Sequence, residues 1–90
     1  MDEDERQTRQ ELTILDAVLR AMDRRDEVFQ IIEGSGDEDE ARLRVGQLLS
    51  VGDLGSRFVL DLQAKGFTRD RRQALASRAE ELRSKLPDGR

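Results

Sequence analysis

Apolar positions recur along this chain at helical spacing. Near its start, Leu12, Leu15, Leu19 and Met22 follow one another at 3–4–3, and Ile14 and Val18 widen the stripe. Asp16, Arg20 and Asp23 fall on the opposite, wet face. The pattern predicts a first helix over about residues 3–22. Near the other end, Leu75, Ala79, Leu82 and Leu86 repeat at 4–3–4 on a narrow seam, which predicts a last helix over about residues 69–85. Two such seams at opposite ends of a short chain predict an antiparallel pair, with Leu12 near Leu86 and Met22 near Leu75. Pro87 stops the last helix, and Asp88-Gly89-Arg90 is a tail.

Three shorter helices are predicted between these two. The second covers about residues 25–32, with Asp23 or Asp26 as its cap and Val28, Phe29, Ile31 and Ile32 pointing inward. Gly34-Ser35-Gly36 breaks the chain. Asp37 then caps a third helix, with Glu40 as its capping-box partner. Ala41, Val45, Leu48 and Leu49 form the inner face of that helix, and Leu43 lies off it. Gly46 inside the helix costs about 1 kcal/mol relative to Ala, which points to close packing there. After the turn at Ser50-Val51-Gly52, a fourth helix is expected from Asp53 to Lys65, stopped by Gly66 with Phe67 folding back. Thr68 caps the last helix. The fold class is all-α: an antiparallel pair of terminal helices, a short coiled-coil stub, encloses three short helices. The acidic start at residues 1–11, a single helical domain over 12–86 and a tail at 87–90 complete the expected organisation.

The fourth helix is the unusual one. Leu54, Phe58, Val59 and Leu62 line one broad apolar stripe, and Leu60 and Ala64 form a second ridge away from it. A helix apolar on two sides needs two things to pack against. One is the chain's own core, and the other is expected to be a second chain. The alternative is a central core helix of a monomer. Leu54, Phe58, Leu60, Leu62 and Phe67 are the candidate dimer-interface residues, undivided between core and interface.

Composition sharpens this picture. A chain of 90 residues is one domain at most and buries only about 60–65% of the surface its unfolded form exposes. It has no cysteine for a disulfide staple, so self-association is the common remaining remedy for a small stability margin. Charged residues make up 40% of the chain, yet the apolar residues are periodic, which argues for folding rather than disorder. The net charge of -4 speaks against direct nucleic-acid binding, because phosphate neutralisation supplies most of such affinity. The basic clusters Arg24-Arg25 and Arg69, Arg71, Arg72 read as solvated helix ends. No apolar run is long enough to span a membrane, and the polar, acidic start is unlike a signal peptide, so a cytoplasmic protein is expected.

Little catalytic chemistry is available. The chain contains no His, Cys, Tyr or Trp, which removes most nucleophile–base pairs, most transition-metal sites and phenolic nucleophiles. Gly34-Ser35-Gly36 lacks the Lys-Ser/Thr of a phosphate loop. The acidic runs Asp2-Glu3-Asp4-Glu5 and Asp37-Glu38-Asp39-Glu40 lack the ligand spacing of a calcium loop and read as helix starts. No catalytic, cofactor-binding or metal-ligating residues are expected, and no cofactor.

The run from Ile14 to Asp23, then Asp26-Glu27-Val28, Ile31-Ile32, Asp39-Glu40-Ala41-Arg42, Val59-Leu60-Asp61-Leu62, Phe67-Thr68 and Glu80-Glu81-Leu82, resembles one region of a known family. It is similar, in order and spacing, to the exit-gate (C-gate) knob in the A subunit of bacterial DNA gyrase and in its topoisomerase IV counterpart. The resemblance covers about residues 12–86. It implies a long helix leading into a helical knob, a second long helix returning antiparallel, and two knobs meeting across a two-fold axis. The family's cleavage, wrapping and ATPase parts have no counterpart here, and without a tyrosine the chain lacks the residue that links to DNA. Gln63 and Ala64 stand where the family usually has a basic and a larger apolar residue, and Gly52-Asp53 alters an acidic cap region.

The resemblance thus implies a non-catalytic helical dimerisation module. Its expected partner is a second copy, or the A subunit of gyrase or topoisomerase IV. The alternatives are a regulator or self-protection factor of a topoisomerase, including one whose acidic surface mimics DNA, and a fragment of a split type II topoisomerase.

Overall fold

A computed structural model describes residues 2–87 of the chain. Those residues form five α-helices and no strand: α1 (Glu3–Asp23), α2 (Arg25–Glu33), α3 (Glu38–Leu49), α4 (Asp53–Leu60) and α5 (Arg69–Ser84), with a 3-10 turn at Ala64–Phe67 before α5. The all-α expectation holds. Residues 88–90 of the expected tail lie outside the described residues.

Local side-chain chemistry sets most helix starts. The Asp2 carboxylate accepts the Glu5 N–H at 2.7 Å, the Asp37 carboxylate accepts that of Glu40 at 2.9 Å, and the Thr68 hydroxyl accepts that of Arg71 at 3.2 Å. The Glu40 side chain closes the second of these boxes on the Gly36 N–H, one residue earlier than the ordinary capping box. The start of α2 departs from expectation. Neither Asp23 nor Asp26 caps it, because a single residue, Arg24, separates α1 from α2 and leaves no room for a separate cap. The Arg24 guanidinium instead forks onto the Glu27 carboxylate, 2.8 Å on both branches.

The terminal helices run antiparallel, as their seams predict. Asp23 at the end of α1 pairs with Arg72 near the start of α5. Glu11 and Asp16, earlier in α1, pair with Arg78 at 3.0 Å and Arg83 at 2.6 Å, later in α5. Leu15, Ala79 and Leu82 are buried between the two helices, flanked by Leu12, Leu19 and Leu75. Asp16 and Asp23 therefore do not lie on a free wet face; the long arginine side chains of α5 reach round to them. The pairs are open to water and individually weak, so the apolar seam supplies the stability and the pairs help fix its register.

The main core joins Ala17 and Ala21 of α1, Val28 of α2, Val45 and Leu49 of α3, and Val59 of α4. Ile31, Ile32, Leu48, Val51 and Leu60 pack against it. Phe29, expected inside, is 47% exposed. Val28 and Ile32 already fill the inner face of the short α2, and Phe29 stands to one side of it. Leu43 is exposed, as its place off the α3 stripe implies.

The C-terminal end of α3 is held by α1. Arg20 donates to the Leu49 and Ser50 carbonyls at 3.1 and 3.2 Å, and Arg24 donates to the Leu48 carbonyl at 3.0 Å. These carbonyls have no partner within their own helix. Arg20 is thus both an exposed residue and a bridge from α1 to the end of α3. Ser50 leaves α3 in the left-handed region, with φ 57° and ψ 45°.

Candidate functional site

The candidate surface is α4 and the chain that follows it. The apolar spacing predicts a helix continuing to Lys65, but α4 ends at Leu60, with Asp61 as its C-cap. Gln63 is extended, at φ -90° and ψ 160°, and the 3-10 turn begins at Ala64. No glycine or proline forces the stop between Val59 and Lys65. The tertiary gain lies past it: Leu62 lies beside Gly66, and the Phe67 ring rests on Phe29, ring centroids 5.7 Å apart and planes inclined at 56°. Leu60 and Ala64 therefore do not form one helical ridge. Gly66 is not a left-handed helix stop either, for no described glycine has a positive φ.

Close approach to the core anchors the inner face of α4. A Cβ added to Gly55 would lie 2.7 Å from the Ala17 Cβ, so α1 and α4 come together where both side chains are minimal. One added to Gly46 in α3 would lie 3.2 Å from the Val51 carbonyl oxygen, the close packing that its helical position suggests. Ser56 is 1% exposed, and its hydroxyl donates to the Arg42 carbonyl at 2.6 Å. The Arg42 side chain crosses from α3 to Asp53 at 2.6 Å and also holds Asp39 at 2.9 Å. The hydrogen bonds from Arg42 to Asp39, then to Asp53, raise the Arg42 pKa.

The five candidate interface residues divide unevenly. Leu60 is half-buried and packs against the main core. Leu62 and Phe67 are half-buried in the turn beyond α4. Leu54 is half-buried on α4, and Phe58, one turn on, is 45% exposed. At 3.6 residues per turn, Leu60 is set about 160° round the helix from Phe58, so the two cannot share one flat contact. Beside the Leu54–Phe58 ridge runs a charged one that apolar periodicity does not reveal: Asp53, Arg57 and Asp61, all exposed. Arg57 bonds Asp53 at 3.0 Å.

The surrounding surface holds shallow, open grooves. One lies among Leu62, Gly66, Thr68, Arg71 and Ala74, and another between α3 and α4 at Leu43, Gly46, Val51 and Ser56. Among the described residues, no three His, Cys, Asp or Glu side chains converge as a metal site, and no helix is long and apolar enough to cross a membrane. Displaced acidity and basicity occur at exposed ion pairs. The hydrogen bond from Arg24 lowers the Glu27 pKa and raises that of Arg24. Glu11 raises the Arg78 pKa through a hydrogen bond, and the charge of Asp16 raises that of Arg83.

No family model matches the chain. The chain is similar to the DNA gyrase A subunit of Lawsonia intracellularis (strain PHE/MN1-00), 30% identical over 75 residues. That stretch is 83% of this chain and 9% of the relative, so the chain spans less than a tenth of that protein's length. The likeness is to a segment of the gyrase A subunit.

Proposed function

We propose, from the likeness to a segment of the DNA gyrase A subunit, that this chain is a non-catalytic helical dimerisation module and that α4 and the turn to Phe67 form its pairing surface. The reading rests above all on Phe58. A large aromatic side chain, 45% exposed beside Leu54 on a helix whose other side is already committed to the core, favours a covering partner. The resemblance of the ordered motifs to an exit-gate knob supports the same use of the same region. A sequence without His, Cys, Tyr or Trp favours an interaction role over catalysis.

Phe58 is a cleaner probe than Leu60, which packs on the core. Phe58→Asp should leave the helical circular-dichroism signal intact and convert an associating protein into a monomer by light scattering. An associating wild-type chain whose Phe58→Asp variant associates equally would remove α4 from the interface. The gyrase likeness favours a second reading, in which the partner is the A subunit of gyrase and the chain regulates or protects that protein. A pull-down against the purified gyrase A subunit, repeated with Phe58→Asp, separates the two: capture of gyrase by a chain that is monomeric alone selects the second.

A further inference from the structure

The charged ridge of α4 determines how two copies would meet. Asp53 and Arg57 of α4 and its C-cap Asp61 follow one another a turn apart along its exposed side, beside Leu54 and Phe58. Asp53 is already neutralised twice, by Arg42 at 2.6 Å and by Arg57 at 3.0 Å. Asp61 follows Arg57 at the same spacing, yet among the described residues it joins no ion pair. Arg57 thus stands between a carboxylate that has another partner and one that has none.

We propose that two copies pair through α4 in antiparallel fashion about a two-fold axis midway between Arg57 and Asp61, so that Arg57 of each copy faces Asp61 of the other. This deepens the dimerisation reading above and rests on it. A two-fold contact is self-complementary: if Arg57 meets Asp61 of the partner subunit, Asp61 must meet Arg57 of the partner subunit. The register follows from charge together with what is already paired: an axis midway between Asp53 and Arg57 would set Arg57 against a carboxylate that Arg42 already holds. An axis level with Arg57 would set two arginines against each other and Asp53 against Asp61, both repulsive. A parallel pairing would set every charge against its like. An axis midway between Arg57 and Asp61 satisfies both and brings the two Phe58 rings together beside it, where they lose water contact. Opposite charges in this order favour a second copy as the occupant, because an unrelated partner would not require them to alternate. The contact is short: eight residues of helix are about 12 Å long, less than a standard interface of ~1,600 Å² uses. The dimer is therefore concentration-dependent and weakened by salt.

The test is sedimentation equilibrium on four samples: the wild-type chain, Arg57→Glu, Asp61→Arg, and an equimolar mixture of the two variants. Both positions are exposed, and circular dichroism checks that each variant keeps its helices. Each variant alone should dissociate about tenfold more readily, since two pairs become two repulsions. The mixture should associate nearly as tightly as wild type, because a wholly acidic pair of positions then meets a wholly basic one. A wild-type dimer with variants that pair as tightly as it does, or a mixture no tighter than either variant, would overturn this register while leaving dimerisation standing. A wild-type chain that never associates would overturn both.

Discussion

Ala17 and Gly55 are the point where α1 and α4 touch: Ala17 is fully buried, and a methyl group on Gly55 would come within 2.7 Å of its Cβ. Neither atom belongs to a flexible side-chain end, so the backbones themselves would have to separate. Gly55→Ala gains about 1 kcal/mol of helix propensity and incurs an overpacking cost of roughly 1–3 kcal/mol in a core that holds Val59 one turn away. A net loss of about 1 kcal/mol should lower the melting temperature by roughly 4–8 °C for a domain of this size. A Gly55→Ala variant that melts at or above wild type would refute the close approach.

Ser50 leaves α3 in a left-handed conformation that costs a side-chain-bearing residue about 1–2 kcal/mol. Ser50→Gly should therefore stabilise the chain by about 0.5–1 kcal/mol once the added chain entropy of glycine is counted. Urea unfolding reads this directly as a higher midpoint with an unchanged slope. The Ser50 carbonyl, which accepts from Arg20, is kept in the variant.

Ser56 makes a buried hydrogen bond across the α3–α4 contact. Ser56→Ala should lose about 1 kcal/mol, and Ser56→Val more, because its second methyl meets the same close-packed neighbours near Gly46. Equilibrium unfolding of both variants checks the order.

Glu27 carries a pH signature. Its bond from Arg24 holds its carboxyl below the ordinary glutamate range. A depressed folded value means that the folded chain binds fewer protons, so the stabilisation is present above the unfolded value of about 4.3 and is lost as pH falls through the folded one. Melting temperature should thus fall on acidification below about pH 4. In Glu27→Gln part of that fall should vanish, and a pH profile identical to wild type would dismiss the pair as a stabilising contact.

Much of this fold is legible in the sequence because its signals are local. Asp37 and Thr68 cap the backbone three residues on, and the Leu12–Leu19 and Leu75–Leu82 spacings state their seam directly. The end of α4 is not legible. The apolar period runs on through Leu62, and only packing of Leu62 beside Gly66 and of Phe67 on Phe29 stops the helix at Leu60. Gly55 gives no sequence sign of its role, because its reason is a methyl group 38 positions earlier, on Ala17. Arg20 likewise satisfies carbonyls 29 and 30 residues away. Of the candidate surface, the apolar members are readable by type, while their division between core and exterior depends on the turn of the chain after Leu60. The Arg57–Asp61 alternation stays hidden because a search for apolar periodicity passes over it.

A second chain over the exposed side of α4 is what the functional reading stands on. Sedimentation equilibrium of the wild-type chain alone, from low micromolar to about 1 mM, puts this to the test. The mass should climb from that of one chain toward that of two, and climb later at high salt. A mass that stays at one chain across the whole range would contradict it.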